Sequence, residues 1–226
     1  MKFSVIIPAL NEAGNLKGAI ASAGPNAEII VADGGSTDET RQTARELGAI
    51  VIKTPAGRGL QMDSAALHAK GEVLLFLHAD SRLPEGWQND IAGALTDQKV
   101  AGGGFRLRID SPGKGFRLIE RIANLRGRFL GLIYGDQAIF ARREIFFSAG
   151  GFNKLPLMED VDCVKRLSKL GKVVLLDKEV RTSPRRWDKG GVIRNTFWNI
   201  TFLSLYKVGI PPKKLYGWYY GNKASN

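Results

Sequence analysis

Acidic side chains follow three apolar runs in the first eighty residues: FSVIIPALNE carries Glu12, EIIVADGGSTDET carries Asp33, and EVLLFLHAD leads into Asp80. A carboxylate at the C-terminal end of a buried parallel strand stands where open α/β sheets hold ligands. Asp33 can accept a hydrogen bond from a ring N–H or a ribose hydroxyl, and Gly34-Gly35 let backbone pass close to a ligand. The same ADGGSTDE string also reads as a plain turn and helix cap. Asp80 offers the oxygen that a hard divalent ion, Mg²⁺ or Mn²⁺, prefers alongside phosphate oxygens. His78 reads either as a nitrogen ligand to Mn²⁺ or as a packing residue. With two His and one Cys in the chain, a His/Cys zinc site is not expected.

Other residues gather around this carboxylate set. Pro8, Asn11 and Glu12 end the first run, where they either face a ligand beside Asp33 or cap the helix that follows. Arg58, in PAGRG, suits a diphosphate or is an exposed loop residue. Glu159-Asp160 opens an amphipathic helix; the pair either answers the helix dipole or, by raising one pKa, forms a general base. Arg185-Arg186-Trp187 reads as two phosphate-binding guanidiniums with an aromatic wall, or as a basic surface turn.

Elements that alternate in type must position these residues. Strands are expected at 3–8, 28–33, 49–53 and 72–77, with helices at 11–22, 37–47, 59–70 and 87–96 between and after them. Ser36 with Glu39 has the form of a capping box, and Gly48 stands where a helix C-terminus takes a left-handed glycine. This alternation predicts an α/β fold with a doubly wound, mainly parallel sheet. Beyond it come a strand at 100–110, a basic helix at 115–130, a strand-to-helix unit at 138–152, a helix at 160–170 and a strand at 172–177. An aromatic helix over 191–208 is stopped by Pro211-Pro212. The division expected is a domain over 1–190 and a basic, aromatic helical extension over 191–226.

The chain has 226 residues and a net charge of +11, unevenly placed. Residues 1–98 carry 8 basic and 12 acidic side chains, 99–128 carry 8 and 2, and 181–226 carry 9 and 1. Basic stretches suit an anionic ligand or an anionic membrane surface. No stretch reaches the roughly 18 apolar residues of a spanning helix, and MKFSVIIPALNE does not read as a signal peptide. Cys163 has no partner for an internal disulfide, reads as packing, and fits a reduced, cytoplasmic setting.

VIIPALNE, VADGGSTDET, FLHAD, MEDVD and RRW, in this order and spacing over roughly residues 3–190, resemble the family-2 glycosyltransferases, inverting enzymes of the GT-A fold. FLHADSRLP, GDQAIFARR, PLMEDVD and the double Arg-Trp make the chain most similar to the short bacterial radical-SAM/selenodomain-associated, arsenosugar-linked transferases. The resemblance implies that Pro8, Asn11, Glu12 and Asp33 hold the nucleoside, that Asp80 takes the metal of an Asp-x-Asp motif, and that Arg58 and Arg186 touch the diphosphate. It implies Asp160 as the base that deprotonates an acceptor hydroxyl. Asp136, in Gly135-Asp136-Gln137, is the second choice of base. The first Asp of Asp-x-Asp is His78 here, and the Gln-x-x-Arg-Trp of processive synthases is absent.

The activity expected is transfer of a hexosyl-type sugar from a nucleoside-diphosphate donor, UDP-linked, to a small-molecule or lipid-linked hydroxyl acceptor. A nucleotidyltransferase is the rival enzyme; it would carry a Gly-rich loop with Lys after the first strand, where this chain reads PALNEAGN. A basic membrane- or nucleic-acid-binding protein is the rival of another class, but strand-end acids repel nucleic-acid phosphates. For the extension, three placements are expected: on its own domain, on a second subunit of a homo-oligomer, or in the interface at the inner face of a membrane.

Overall fold

The computed structural model describes residues 1–185 and 191–220. An eight-stranded sheet runs through it in the order β3-β2-β1-β4-β7-β6-β8-β5. Its strands are β1 (Phe3–Ala9), β2 (Glu28–Asp33), β3 (Ile50–Lys53), β4 (Val73–Phe76), β5 (Ser81–Arg82), β6 (Val100–Ile109), β7 (Ile139–Arg142) and β8 (Lys172–Thr182). Helices α1 (Ala13–Ala23), α2 (Thr40–Glu46), α3 (Arg58–Ala66) and α4 (Trp87–Ala94) belong to the first half. Helices α5 (Lys114–Leu130), α6 (Arg143–Ser148), α7 (Glu159–Leu167), α8 (Val192–Lys207) and α9 (Pro212–Tyr220) belong to the second.

The apolar runs of β1 and β4 are buried because both faces of the sheet are covered. Side chains alternate between faces along a strand. Val5, Ile7, Leu75 and Leu77 therefore enter one core layer, while Ile6, Leu74 and Phe76 enter the other. In register, Ala9 stands beside Asp33 and Ile6 beside Phe76. The ends of β1, β2 and β4 thus open along one edge of the sheet.

The α/β reading holds, with a mixed sheet. Strands β1, β2, β3 and β4 pair in parallel, as the alternation predicts. Strand β7 inserts antiparallel between β4 and β6, and β8 runs parallel to β6. Strand β8 outlasts its expected end at 177. A register shift at Phe105/Arg106 skips the charged Asp177-Lys178, and Glu179–Thr182 then pair with Arg106–Ile109 at the end of β6. The extra length carries the chain to β5 and lets Ser183 N–H donate to the Asp80 carbonyl at 3.1 Å.

Two capping expectations differ from the structure. Helix α2 begins at Thr40, so Ser36 is not its cap; the Ser36 hydroxyl instead accepts from Asn11 N–H at 2.9 Å. Helix α1 is preceded by Glu12, and Asn11 does not cap it. Its leading N–H groups are met from the neighbouring loop, by Thr40 Oγ1 at 2.8 Å and Asp38 Oδ2 at 3.3 Å. The unsatisfied amides of one helix end thereby tie two strand-end loops together. Gly48 does take the left-handed conformation after α2 (φ 80°). Pro212 opens α9, where its missing N–H costs nothing.

Among the described residues, no helix is long and apolar enough to cross a membrane.

Candidate functional site

The loops at the C-terminal edge of the sheet enclose a cavity of about 710 Å³. The end of β1 contributes Pro8 and Glu12, the start of α3 contributes Arg58 and Gln61, and the end of β4 contributes His78 and Asp80. Glu159 closes it from α7, Arg185 from beyond β8 and Tyr216 from α9.

Glu12 and Asp80 converge on a single cationic atom. Arg185 Nη2 donates to Glu12 Oε1 at 2.6 Å and to Asp80 Oδ2 at 3.3 Å. Burial raises the Asp80 carboxyl above its ordinary value, against the pull of Arg185, and the nearby Glu12 charge adds to the rise. Arg185 is held still more firmly protonated, chiefly by its bond to Glu12. Two carboxylate oxygens gathered on one positive centre form a donor set that suits a hard divalent cation. The guanidinium stands in for that charge here. Among the described residues no group of three or more His, Cys, Asp or Glu could hold a metal, so such an ion would complete its shell with ligand oxygens and water.

The acid pair divides its work. Glu159 is bonded to Arg58 Nε across 101 residues of chain. Asp160, 9% exposed, turns the other way. Its Oδ2 accepts Gly135 N–H and its Oδ1 accepts Val161 N–H, both at 2.8 Å. Burial pushes the Asp160 carboxyl up, but the Arg58 cation, these two N–H groups and His78 outweigh it, so it titrates below its ordinary value. The expected rise is therefore not met at Asp160, while Glu159 is ion-paired with Arg58.

Gly135 lies against both groups: a Cβ there would stand 2.8 Å from His78 Nε2 and 3.2 Å from Asp160 Oδ2. His78 thus borders Asp160 as well as the cavity. Asp136 sits in the same one-turn 3₁₀ segment, Gly135–Gln137, and is not part of the cavity wall.

Asp33 is placed differently from the expectation. It is fully buried, and its carboxylate accepts Gly35 N–H and Ser36 N–H at 3.2 Å while Arg41 Nη1 stands 3.5 Å away. The side chain holds the loop after β2 and does not line the cavity. Asn11 is likewise engaged with that loop, accepting Thr37 N–H at 2.8 Å. Arg186 and Trp187 lie outside the described residues.

Two cavity residues carry no signal in the sequence that singles them out, and a third, Arg185, is marked there only as one of a pair of phosphate-binding guanidiniums. Gln61 looks like one polar position of an ordinary helix; in the structure its Nε2 donates to the Ala9 and Ala32 carbonyls at 2.9 and 2.8 Å, clamping the ends of β1 and β2. Tyr216 sits in a tail with many aromatics. Arg185 is one of two adjacent arginines, and only the path of β8 selects it. Cys163 is buried, and burial pushes its thiol up to about 12, as a packing residue.

Comparison with known proteins agrees with this architecture. A structure of residues 1–349 of S. aureus TarS in complex with UDP-GlcNAc matches with a TM-score of 0.60 and 20% identity, over 81% of this chain and 58% of that one. Glucosyl-3-phosphoglycerate synthase from Mycobacterium tuberculosis, in complex with Mn²⁺, UDP and glucosyl-3-phosphoglycerate, matches at 0.63 and 22%, over 93% and 81%. The mannosyltransferase PcManGT from Pyrobaculum calidifontis, in complex with GDP-Man and Mn²⁺, matches at 0.61 and 20%, over 80% and 56%. The chain thus spans less than two thirds of the TarS and PcManGT chains. A search of curated sequences returned no match. The profile of Glycosyl transferase family 2 matches residues 4–154. That span holds β1 to β7, the convergent Glu12 and Asp80, and the Gly135 that meets Asp160, and it makes this chain a glycosyltransferase belonging to glycosyl transferase family 2.

Proposed function

We propose that the protein is an inverting transferase that moves a sugar from a nucleoside diphosphate, UDP in the first instance, to an acceptor hydroxyl. The observation that carries this reading is the meeting of Glu12 and Asp80 on one positive centre at the wall of a 710 Å³ cavity, with ionised Asp160 behind it. The donor class is supported by the UDP and GDP-sugar complexes of the structural neighbours.

Asp80 with Glu12 would hold Mg²⁺ or Mn²⁺, whose charge compensates the diphosphate. Arg185 is the guanidinium nearest that position and swings from the carboxylates to phosphate oxygens when donor binds. Arg58 stays with Glu159 and keeps the negative field at the back of the cavity balanced. In the transfer step the acceptor O–H proton passes to the Asp160 carboxylate as the acceptor oxygen bonds to the anomeric carbon. The bond from that carbon to the diphosphate oxygen breaks, and its electron pair leaves with the nucleotide. A carboxylate titrating below its ordinary value is fully ionised at neutral pH, so it is always ready for the proton. His78 and Gly135 hold Asp160 in place. The proposal keeps Pro8 at the nucleoside, and gives Asp33, Asn11 and Gln61 the work of shaping its loop.

The short radical-SAM/selenodomain-associated group is the proposed subclass, supported by FLHADSRLP, GDQAIFARR and PLMEDVD. Residues 191–226 are proposed as an extension of the same domain, supported by Tyr216 in the cavity wall. A thermal-shift panel of UDP, GDP and ADP with and without Mn²⁺ tests the reading. Ligand that binds only the folded form raises the melting temperature. The expected result is a rise with UDP plus Mn²⁺ exceeding that with either added singly. A panel without shifts overturns it.

A further inference from the structure

Helix α5 buries one face against β6 and leaves an apolar row on the other. Phe116, Glu120 and Ala123 point inward and are buried. Leu118, Ile122, Leu125 and Phe129 follow at spacings of four, three and four, which set them on one stripe about 16 Å long. All four are exposed, from 47% at Leu125 to 74% at Phe129, and Leu130 extends the end at 67%. The outward face of a surface helix is ordinarily polar. A contiguous exposed apolar row marks a contact surface.

Its border carries two arginines, one of which, Arg128, is bonded to the exposed Asp177. Arg121 comes three residues after Leu118 and four before Leu125, and Arg128 three after Leu125, so both flank the row on one side. Both are exposed. The stretch 99–128 carries eight basic and two acidic side chains. A second copy is a poor fit, because each copy of the chain brings a net charge of +11. Self-cover is a poor fit too: α8 packs on α5 yet leaves the row exposed, and residues 186–190 and 221–226 include one large apolar side chain, Trp187. Apolar side chains rimmed by arginines match the acyl and headgroup layers of an anionic bilayer.

We propose that α5 lies in the interface of a membrane rich in anionic lipid, with Leu118, Ile122, Leu125 and Phe129 in the acyl boundary and Arg121 and Arg128 among the phosphates. Leu118, Ile122 and Leu125 fall within 99–128, one of the two basic stretches that suit an anionic surface. This assignment is independent of the transferase reading, since none of its residues lines the cavity.

Flotation of the full chain with phosphatidylglycerol-containing vesicles and with pure phosphatidylcholine vesicles is the test, with Ile122→Ser/Phe129→Ser and Arg121→Gln/Arg128→Gln as variants. Binding to anionic vesicles only, weakened by salt, is expected. The serine pair should reduce partitioning by about tenfold or more, and each arginine removed by about fivefold. Melting temperatures within a degree or two of the parent would show that the variants remain folded. Absence of binding to anionic vesicles overturns the proposal. So does binding that survives the serine pair, which would locate the contact elsewhere. Sedimentation showing a dimer that the serine pair dissolves, without vesicle binding, would assign the row to a second copy and also overturn it.

Discussion

Asp80 and Asp160 lie in one site and are pushed in opposite directions, which separates their contributions to stability. The folded-state pKa of Asp80 is raised, so the folded chain holds that proton more tightly than the unfolded one. The stabilisation is present below the unfolded value near 3.8 and is lost as pH rises through the raised value. At neutral pH the charged group therefore burdens the fold, and Asp80→Asn should raise the melting temperature while abolishing the Mn²⁺-dependent part of UDP binding. Asp160 has the reverse sign. Its folded pKa is lowered, so its stabilisation is present above the unfolded value and is lost as pH falls through the folded one. Asp160→Asn should lower the melting temperature at pH 7, with the deficit closing in acid. It should also reduce transfer by about 10²- to 10⁴-fold with UDP binding retained. Melting curves at two pH values, with a radiolabelled-donor assay, check both variants; equal signs for the two would refute the assignment.

Loops hold the site under visible constraint. Among the described residues three non-glycines adopt left-handed backbone: Asn11 (φ 55°), Ala138 (φ 49°) and Met158 (φ 65°). They sit after β1, after the Gly135–Gln137 turn and directly before Glu159. Such conformations cost on the order of 1–3 kcal/mol each and persist where surrounding contacts enforce them. Gly135 is the tightest point of this framework. In Gly135→Ala the new Cβ meets the side-chain ends of His78 and Asp160 and not backbone, so the fold should survive and these side chains should give way. Turnover should then fall on the order of 10²-fold from misplacement of Asp160, with a melting temperature close to the parent. A variant with full turnover would show that the approach of Gly135 to Asp160 has no part in the reaction. The periodic runs made β1, β2 and β4 and their terminal carboxylates legible, because a buried strand has a composition of its own. Nothing local marks that Asp38 and Thr40 serve the first turn of α1, since those bonds join residues 25 and 28 apart.

Across the whole molecule, charge and connectivity point the same way. Acidic residues 1–98 form the cation-facing half of the cavity, while the basic stretches supply Arg185 and the rim of α5. The C-terminal helices return to this centre. Helix α8 packs on α5 and α9, Phe202 and Leu215 are buried, and Tyr216 reaches the cavity. Leu215→Ala should therefore cost about 2–5 kcal/mol, as for other fully buried leucines, visible as a lower urea midpoint. An unchanged midpoint would mean that the extension contributes nothing to the folded unit.

Composition and periodicity determined the α/β class, the parallel first half and the candidate acids, because burial on two sheet faces imposes apolar runs and strand ends leave carboxylates at one edge. The tertiary structure decided which of those acids face the cavity. Asp33 was drawn into its own loop, Glu159 was given to Arg58, and Asp160 to Gly135. Arg185 was brought to Glu12 and Asp80 by a strand longer than its apolar core. Such pairings depend on contacts across as many as 173 residues, and local sequence carries no record of partners that distant.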